Sequence, residues 1–203
     1  VSDLAWLRER GLDRAIAERA RRGLPVLGIC GGYQMLARRI DDEVESGAGS
    51  VDGLGLLPVG VRFAKEKTLG RPHGTAYGED VVGYEIHHGV AEIDWTGTAT
   101  GAGTEAPRPF LDGCRSGSVW GTTWHGALEN DAFRRAFLAD VAQVADRDFR
   151  PAPDTDFAEA RASRLDALGD LVEDHMDTGA VWRLLEKGTP EGLPVIPPAG
   201  PPL

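Results

Sequence analysis

Cysteine is scarce in this 203-residue chain: Cys30 and Cys114 are the two present. Two thiols cannot build a disulfide framework, so a reducing, cytoplasmic setting is expected. No apolar run approaches the ~20 residues of a membrane-spanning helix, and the first residues do not read as a secretory leader. Positive charge is also in deficit. Lys plus Arg number 22 against 32 Asp plus Glu, for a net charge of −10. Phosphate backbones and anionic lipids need a basic face, so neither nucleic acid nor membrane is an expected partner. The short run Arg19-Ala20-Arg21-Arg22 ends a helical segment, where cations complement the helix dipole. Nor is there a Gly-x-x-x-x-Gly-Lys-Ser/Thr phosphate loop, so no nucleotide cofactor is expected on this chain. No internal repeat occurs.

Glycine is what the chain has in excess, 27 residues or about 13% against a typical ~7%. That surplus predicts many tight turns and close backbone approaches. Ser2 reads as an N-cap, and Leu4, Leu7, Leu12, Ile16 and Ala20 recur at near-helical spacing until Gly23. Residues 24–29 form an apolar run of the kind buried on both faces of a parallel sheet. Cys30-Gly31-Gly32 then turns the chain, and 33–40 reads as a helix. Helix, buried strand, tight turn and helix predict an α/β fold with an open, mostly parallel sheet flanked by helices.

Further on, short β runs alternate with Gly and Pro over 51–95, and 97–109 reads as a flexible surface loop. Phe110-Leu111-Asp112-Gly113 reads as a hairpin turn, 118–125 as a strand and 130–144 as an amphipathic helix. Residues 1–150 are therefore expected to form the main domain. Residues 151–188 are expected to be a helical appendage that packs on or extends it. Six of the 13 prolines fall in 190–203, so 189–203 is expected to be a disordered tail. With no initiator Met, the chain reads as a fragment of a longer polypeptide.

Chemistry concentrates at Gly28-Ile29-Cys30-Gly31-Gly32-Tyr33-Gln34. A Cys at a strand-to-helix corner faces the positive end of the following helix, which favours thiolate. The Gly31 N–H is placed to donate to an oxyanion formed when the sulfur attacks a carbonyl. The alternative is a buried Cys acting as a small hydrophobe. Such a nucleophile needs a base, and His125, at the end of an apolar strand, is the best placed of five histidines. Glu85 and His87 share one face of a strand, because side chains alternate. They read either as substrate contacts or as a local ion pair. Cys114 has no nearby partner, and no metal-ligand set is legible.

Cys30-Gly31-Gly32-Tyr33-Gln34-Met35-Leu36, Gly83-Tyr84-Glu85-Ile86-His87 and Gly121-Thr122-Thr123-Trp124-His125-Gly126 occur in that order. Together they resemble the class I, triad-type glutamine amidotransferase domain of the cobyric acid synthase family, over about residues 1–187. The resemblance implies a flavodoxin-like glutaminase in which Cys30 forms a γ-glutamyl thioester and releases ammonia. It implies His125 as the acid and base, and Gly31 and Gln34 as holders of glutamine. It further implies an ATP- and Mg-dependent synthetase domain, normally on the same polypeptide, that amidates adenosylcobyrinic acid a,c-diamide. Two departures accompany it. The position two residues after the His, where many triad enzymes carry Glu, is Ala127, and the nearest acid is Glu129. Family members also have a further section before Ser2, with a Gly-rich loop that gives a second oxyanion donor, so low activity is expected of this chain. Two alternatives stand beside this reading: a glutaminase subunit for a cell-wall-precursor (lipid II) amidoligase, and a non-catalytic binding module.

Overall fold

A computed structural model describes residues 1–97 and 106–193. The chain divides into two compact units, Val1–Thr155 and a second that begins at Asp156. The first is a mixed α/β structure of helix-flanked sheets. One sheet has the order β1-β10-β9-β8, formed by Val26–Ile29, Val119–Thr122, Gly113–Ser116 and Arg108–Phe110. The other has the order β3-β2-β4-β7, formed by Gly49–Asp52, Arg39–Asp42, Val59–Gly70 and Glu85–Ile93. A hairpin of β5 (His73–Ala76) and β6 (Glu79–Val82) stands apart. Within the expected α/β class, polarity is mixed. β1–β10 and β2–β4 pair in parallel, and the other described pairs are antiparallel.

Strand β10 explains where the core lies. Its residues are all buried, and successive side chains go to opposite faces. Val119 joins Leu4, Tyr33, Leu36 and Leu57 on one face. Trp120 joins Phe110, Phe133 and Phe137 on the other. The Trp120 indole donates to the Tyr77 hydroxyl at 3.1 Å, and Arg115 lies over its ring at 4.4 Å. Phe133 and Phe137 come from helix α4 (Asp131–Val144), which begins after Asn130 as its periodicity predicts.

Close approach at two glycines seats helix α3 (Gly31–Leu36) on this sheet. A Cβ at Gly28 would come 2.6 Å from Leu36 Cδ1 and 2.8 Å from the Gly32 carbonyl. One at Gly121 would collide with the Tyr33 ring. The glycines on either side of that contact let helix and strand touch backbone to side chain.

Several boundaries differ from expectation. The first helix is two, α1 (Ser2–Glu9) and α2 (Leu12–Arg21), because Gly11 takes a left-handed φ of 71° between them. Val1 occupies the cap position instead of Ser2, whereas Gly23 does close α2, its amide bonded to the Ala20 carbonyl at 2.9 Å. Helix α3 stops at Leu36: Ala37 is extended, and Arg38 donates to Val59 at 2.8 Å, so Arg39–Asp42 is strand β2 and not helix. β7 runs unbroken where two short runs were expected. The predicted 110–113 turn is present, with Leu111 at φ 52°. Residues 108–110 belong to β8, and the rest of the predicted 97–109 loop lies largely outside the described residues.

The second unit holds α5 (Phe157–His175) and α6 (Thr178–Lys187). Asp156 and Asp177 cap them, accepting from Glu159 and Ala180 amides at 2.9 Å each. Neither helix has a buried residue. Most of the predicted 189–203 tail lies outside the described residues.

Candidate active site

The chain turns at Cys30 under strain. Its φ of 50° and ψ of −114° are disfavoured for a residue with a Cβ, and it forms the cap between β1 and α3. Surrounding bonds hold it there: its amide donates to the Thr122 carbonyl at 2.9 Å and its carbonyl accepts from Gln34 at 3.0 Å. The thiol is half-buried and accepts from the Gly31 amide. Burial pushes the thiol above its ordinary value, and the carboxylates of Glu45 and Asp112 push the same way. The Gly31 amide and Lys67 oppose them.

The direction is therefore opposite to the one expected from a helix N-terminus. Helix α3 has only six residues, and desolvation outweighs what its first amide supplies. The glycine surplus predicts close backbone approaches, but Gly31 and Gly32 make none. A Cβ at Gly31 or Gly32 would meet nothing within 4 Å, so these positions leave open space beside the corner. The crowded position is Gly28.

His125 reaches the same end of the sheet. β1 and β10 are parallel neighbours with Ile29 opposite Thr122, so Cys30 and His125 both lie just beyond the carboxyl ends of strands about 4.8 Å apart. Tyr84 fixes the histidine. Its carbonyl accepts the His125 amide at 2.8 Å, its amide donates back at 3.0 Å, and its ring stacks on the imidazole with centroids 4.9 Å apart. Nε2 of His125 is buried and has no hydrogen-bond partner among the described residues. Stacking and backbone bonding thus set the imidazole where Ala127 replaces the usual acid.

Asp112 was not singled out from sequence. Its carboxylate accepts the Thr122 hydroxyl at 2.5 Å, the Thr123 amide at 3.0 Å and the Thr123 hydroxyl. These bonds clamp the end of β10 just before His125, and Thr122 is the residue whose carbonyl holds Cys30. A signal existed: two adjacent threonines, both buried, require partners for their hydroxyls.

The expected common face of Glu85 and His87 is present and turned inward, leaving Tyr84 and Ile86 exposed. Their polar atoms are engaged locally. His87 Nε2 lies 3.4 Å from Glu85 Oε2, and Nδ1 lies 2.8 Å from the Gly89 carbonyl. Gly89 in turn abuts the side-chain amide of Gln34, where a Cβ would collide with Nε2. The motif around Glu85 and the helix after Cys30 therefore meet at Gln34 and Gly89. Cys114, in contrast, is fully buried beside Tyr33, and burial raises its thiol to about 11.

A strained cysteine corner and a histidine just beyond the neighbouring parallel strand mark a candidate site on an α/β protein, and the comparisons give the class. Residues 1–133 match the CobB/CobQ-like glutamine amidotransferase domain, and the chain belongs to that family. It is similar to cobyric acid synthase of Streptomyces coelicolor, 64% identical over 201 residues, covering 99% of this chain and 38% of that protein. It is also similar to cobyric acid synthases of Frankia casuarinae, 60% identical over 202 residues (98% and 37%), and Mycolicibacterium smegmatis, 49% over 195 residues (94% and 36%). The chain thus spans a little over a third of the length of these relatives.

Proposed function

We propose that this chain acts as the glutaminase part of a cobyric acid synthase, with Cys30 as nucleophile and His125 as acid and base. The observation that carries the reading is the bond from the Cys30 amide to Thr122, which ties the strained corner to the strand that leads to His125. His125 takes the thiol proton as sulfur attacks the side-chain carboxamide carbon of glutamine. A base is needed at neutral pH because burial holds the thiol protonated. The Gly31 amide donates to the oxyanion. His125 then returns the proton to the departing nitrogen, ammonia leaves, and a γ-glutamyl thioester remains on Cys30. Water, deprotonated by His125, releases glutamate and restores the thiol. Gln34 takes part in holding glutamine, while Glu85 and His87 fix the Gly89 segment against which Gln34 rests.

In the longer relatives' setting, the ammonia is consumed by an ATP- and Mg-dependent synthetase part that amidates adenosylcobyrinic acid a,c-diamide. The names of the similar proteins favour this acceptor over a cell-wall precursor. Two free thiols fit a cytoplasmic location, and no helix among the described residues is long and apolar enough to cross a membrane. The test is peptide mapping after exposure to 6-diazo-5-oxo-L-norleucine, a diazo-ketone analogue of glutamine. The reading expects an adduct on Cys30 and none on Cys114. Glutamine hydrolysis by the Cys30→Ser variant should fall to background; equal rates for variant and parent would end the proposal.

A further inference from the structure

Asn130 precedes helix α4 with the extended backbone of an N-cap, φ −79° and ψ 108°. Asparagine in that position ordinarily accepts an amide of the first turn, a bond that contributes about 1 kcal/mol. Here the side chain makes no such bond among the described residues. It turns instead to the β5–β6 hairpin. Its oxygen accepts the Val82 amide at 3.0 Å, and its nitrogen donates to the Val82 carbonyl at 2.8 Å and the Ala127 carbonyl at 2.9 Å.

Strand geometry joins that contact to the site. Backbone groups of successive residues point to opposite edges, so Val82 and Tyr84 use one edge and Gly83 the other. Gly83 donates to the Pro72 carbonyl at 3.0 Å, while Tyr84 exchanges both of its backbone bonds with His125. The Asn130 carboxamide and the His125 backbone are therefore neighbouring rungs on the same edge. Between them in the chain lies Ala127, which the same carboxamide also holds.

A single rung lets a strand end pivot, whereas two rungs roughly 7 Å apart fix its direction. Direction decides where the Tyr84 ring goes. The ring lies on the His125 imidazole with 11° between the two planes, and Tyr84 is half-exposed, so its backbone is what places it. Close approach is built in: a Cβ at Gly83 would come 2.9 Å from the His125 carbonyl.

Forgoing the cap gives up helix stability, and what the carboxamide gains is a brace for the strand end that carries the stacking ring. We infer that Asn130 is a positioning residue for His125, acting through Val82 and Tyr84 to hold the imidazole toward the Cys30 corner. The brace does from Asn130 what Ala127 has no side chain to do. Its effect on turnover rests on the glutaminase reading; its effect on the imidazole does not.

Asn130→Ser separates the two uses of the side chain, because a serine hydroxyl caps α4 but is too short to span Val82. The variant should keep a urea midpoint close to the parent's while kcat for glutamine hydrolysis falls about tenfold or more, the size expected when a reacting group is misplaced. KM should barely change. Tyr84→Leu should give the same signature, and Tyr84→Phe, which keeps the stacking face, should keep most of the parent's kcat. The double variant Asn130→Ser/Tyr84→Leu should be no slower than Tyr84→Leu, since both residues act through one contact. The ring-proton resonance of His125, assigned by its loss in His125→Gln, should move in Asn130→Ser toward its position in Tyr84→Leu. A fall in kcat with the resonance unmoved would overturn the inference, as would a moved resonance with kcat unchanged or losses that multiply in the double variant. If Asn130→Ser unfolds, Asn130→Asp takes its place: it caps α4 and accepts from Val82 but donates to neither carbonyl, and the same directions are expected. A parent that hydrolyses glutamine no faster than Cys30→Ser would overturn the glutaminase reading, and the His125 resonance would then decide the positioning role by itself.

Discussion

The sheet that leads to Cys30 and His125 is buried on both faces at its strand β10, whereas the β3-β2-β4-β7 sheet leaves its turns and part of one face in water. Every residue of β10 is buried, while Leu69, Ile86 and Val90 of the second sheet are exposed. Reacting atoms must keep their places, and dense packing on two faces supplies that rigidity. Asp42 is the exception in the second sheet. It is a buried carboxylate that makes one exposed turn as well defined as the core.

Replacement at the centre of the first sheet tests this contrast most severely. Trp120→Ala removes a buried ring packed against Phe137 and should cost about 4 kcal/mol in urea unfolding. Next is Asp42→Ala, expected to cost about 2 kcal/mol at neutral pH through the amides and hydroxyl left unmatched. Burial alone would raise this carboxyl, but hydrogen bonds from Ser46, Glu45 and Val44 outweigh it and leave it below its ordinary value. The stabilisation is therefore present above the ordinary aspartate range, near 4. It fades as pH falls through the lowered folded value, so parent and variant should converge in acid. A constant difference down to acid pH would remove the carboxylate from the account.

The thiol gives a smaller effect of opposite sign. Because burial, Glu45 and Asp112 raise Cys30, its iodoacetamide rate should reach half its plateau above pH 9.0, the midpoint of an ordinary thiol. Asp112→Asn removes one anion and should shift that profile to lower pH; a profile that stays in place would sever Asp112 from the thiol. Smallest of all is Ile86→Ser on the exposed face, expected within about 0.5 kcal/mol of the parent. A loss as large as that of Trp120→Ala would erase the difference between the sheets.

Sequence periodicity located α4 to within a residue, because Asn130 and the Phe133–Phe137 spacing agree with how the helix packs. It failed between Leu36 and Ile40, where Met35, Leu36, Ala37 and Ile40 keep a helical spacing. Pairing with Val51 and Val61 turns that stretch into a strand, and a short apolar run cannot announce such long-range pairing. At the candidate site, Cys30, Gln34 and His125 could be singled out from the sequence because a corner and a strand end leave marks in glycine and in hydrophobic pattern. Asp112, which clamps the end of β10, could not. A charged residue in a turn looks like any solvated one until strand register shows where the turn points.

The positive φ of Cys30 has a consequence for the durability of this corner. A side chain held in that region costs roughly 1–3 kcal/mol relative to a relaxed backbone, a cost that glycine would avoid. The side chain at the corner is thus also one that weakens it, so selection for greater stability alone would remove the thiol. The hydrogen bonds to Thr122 and Gln34 and the seating of α3 against Gly28 are what let a thiol and a folded corner coexist at this position.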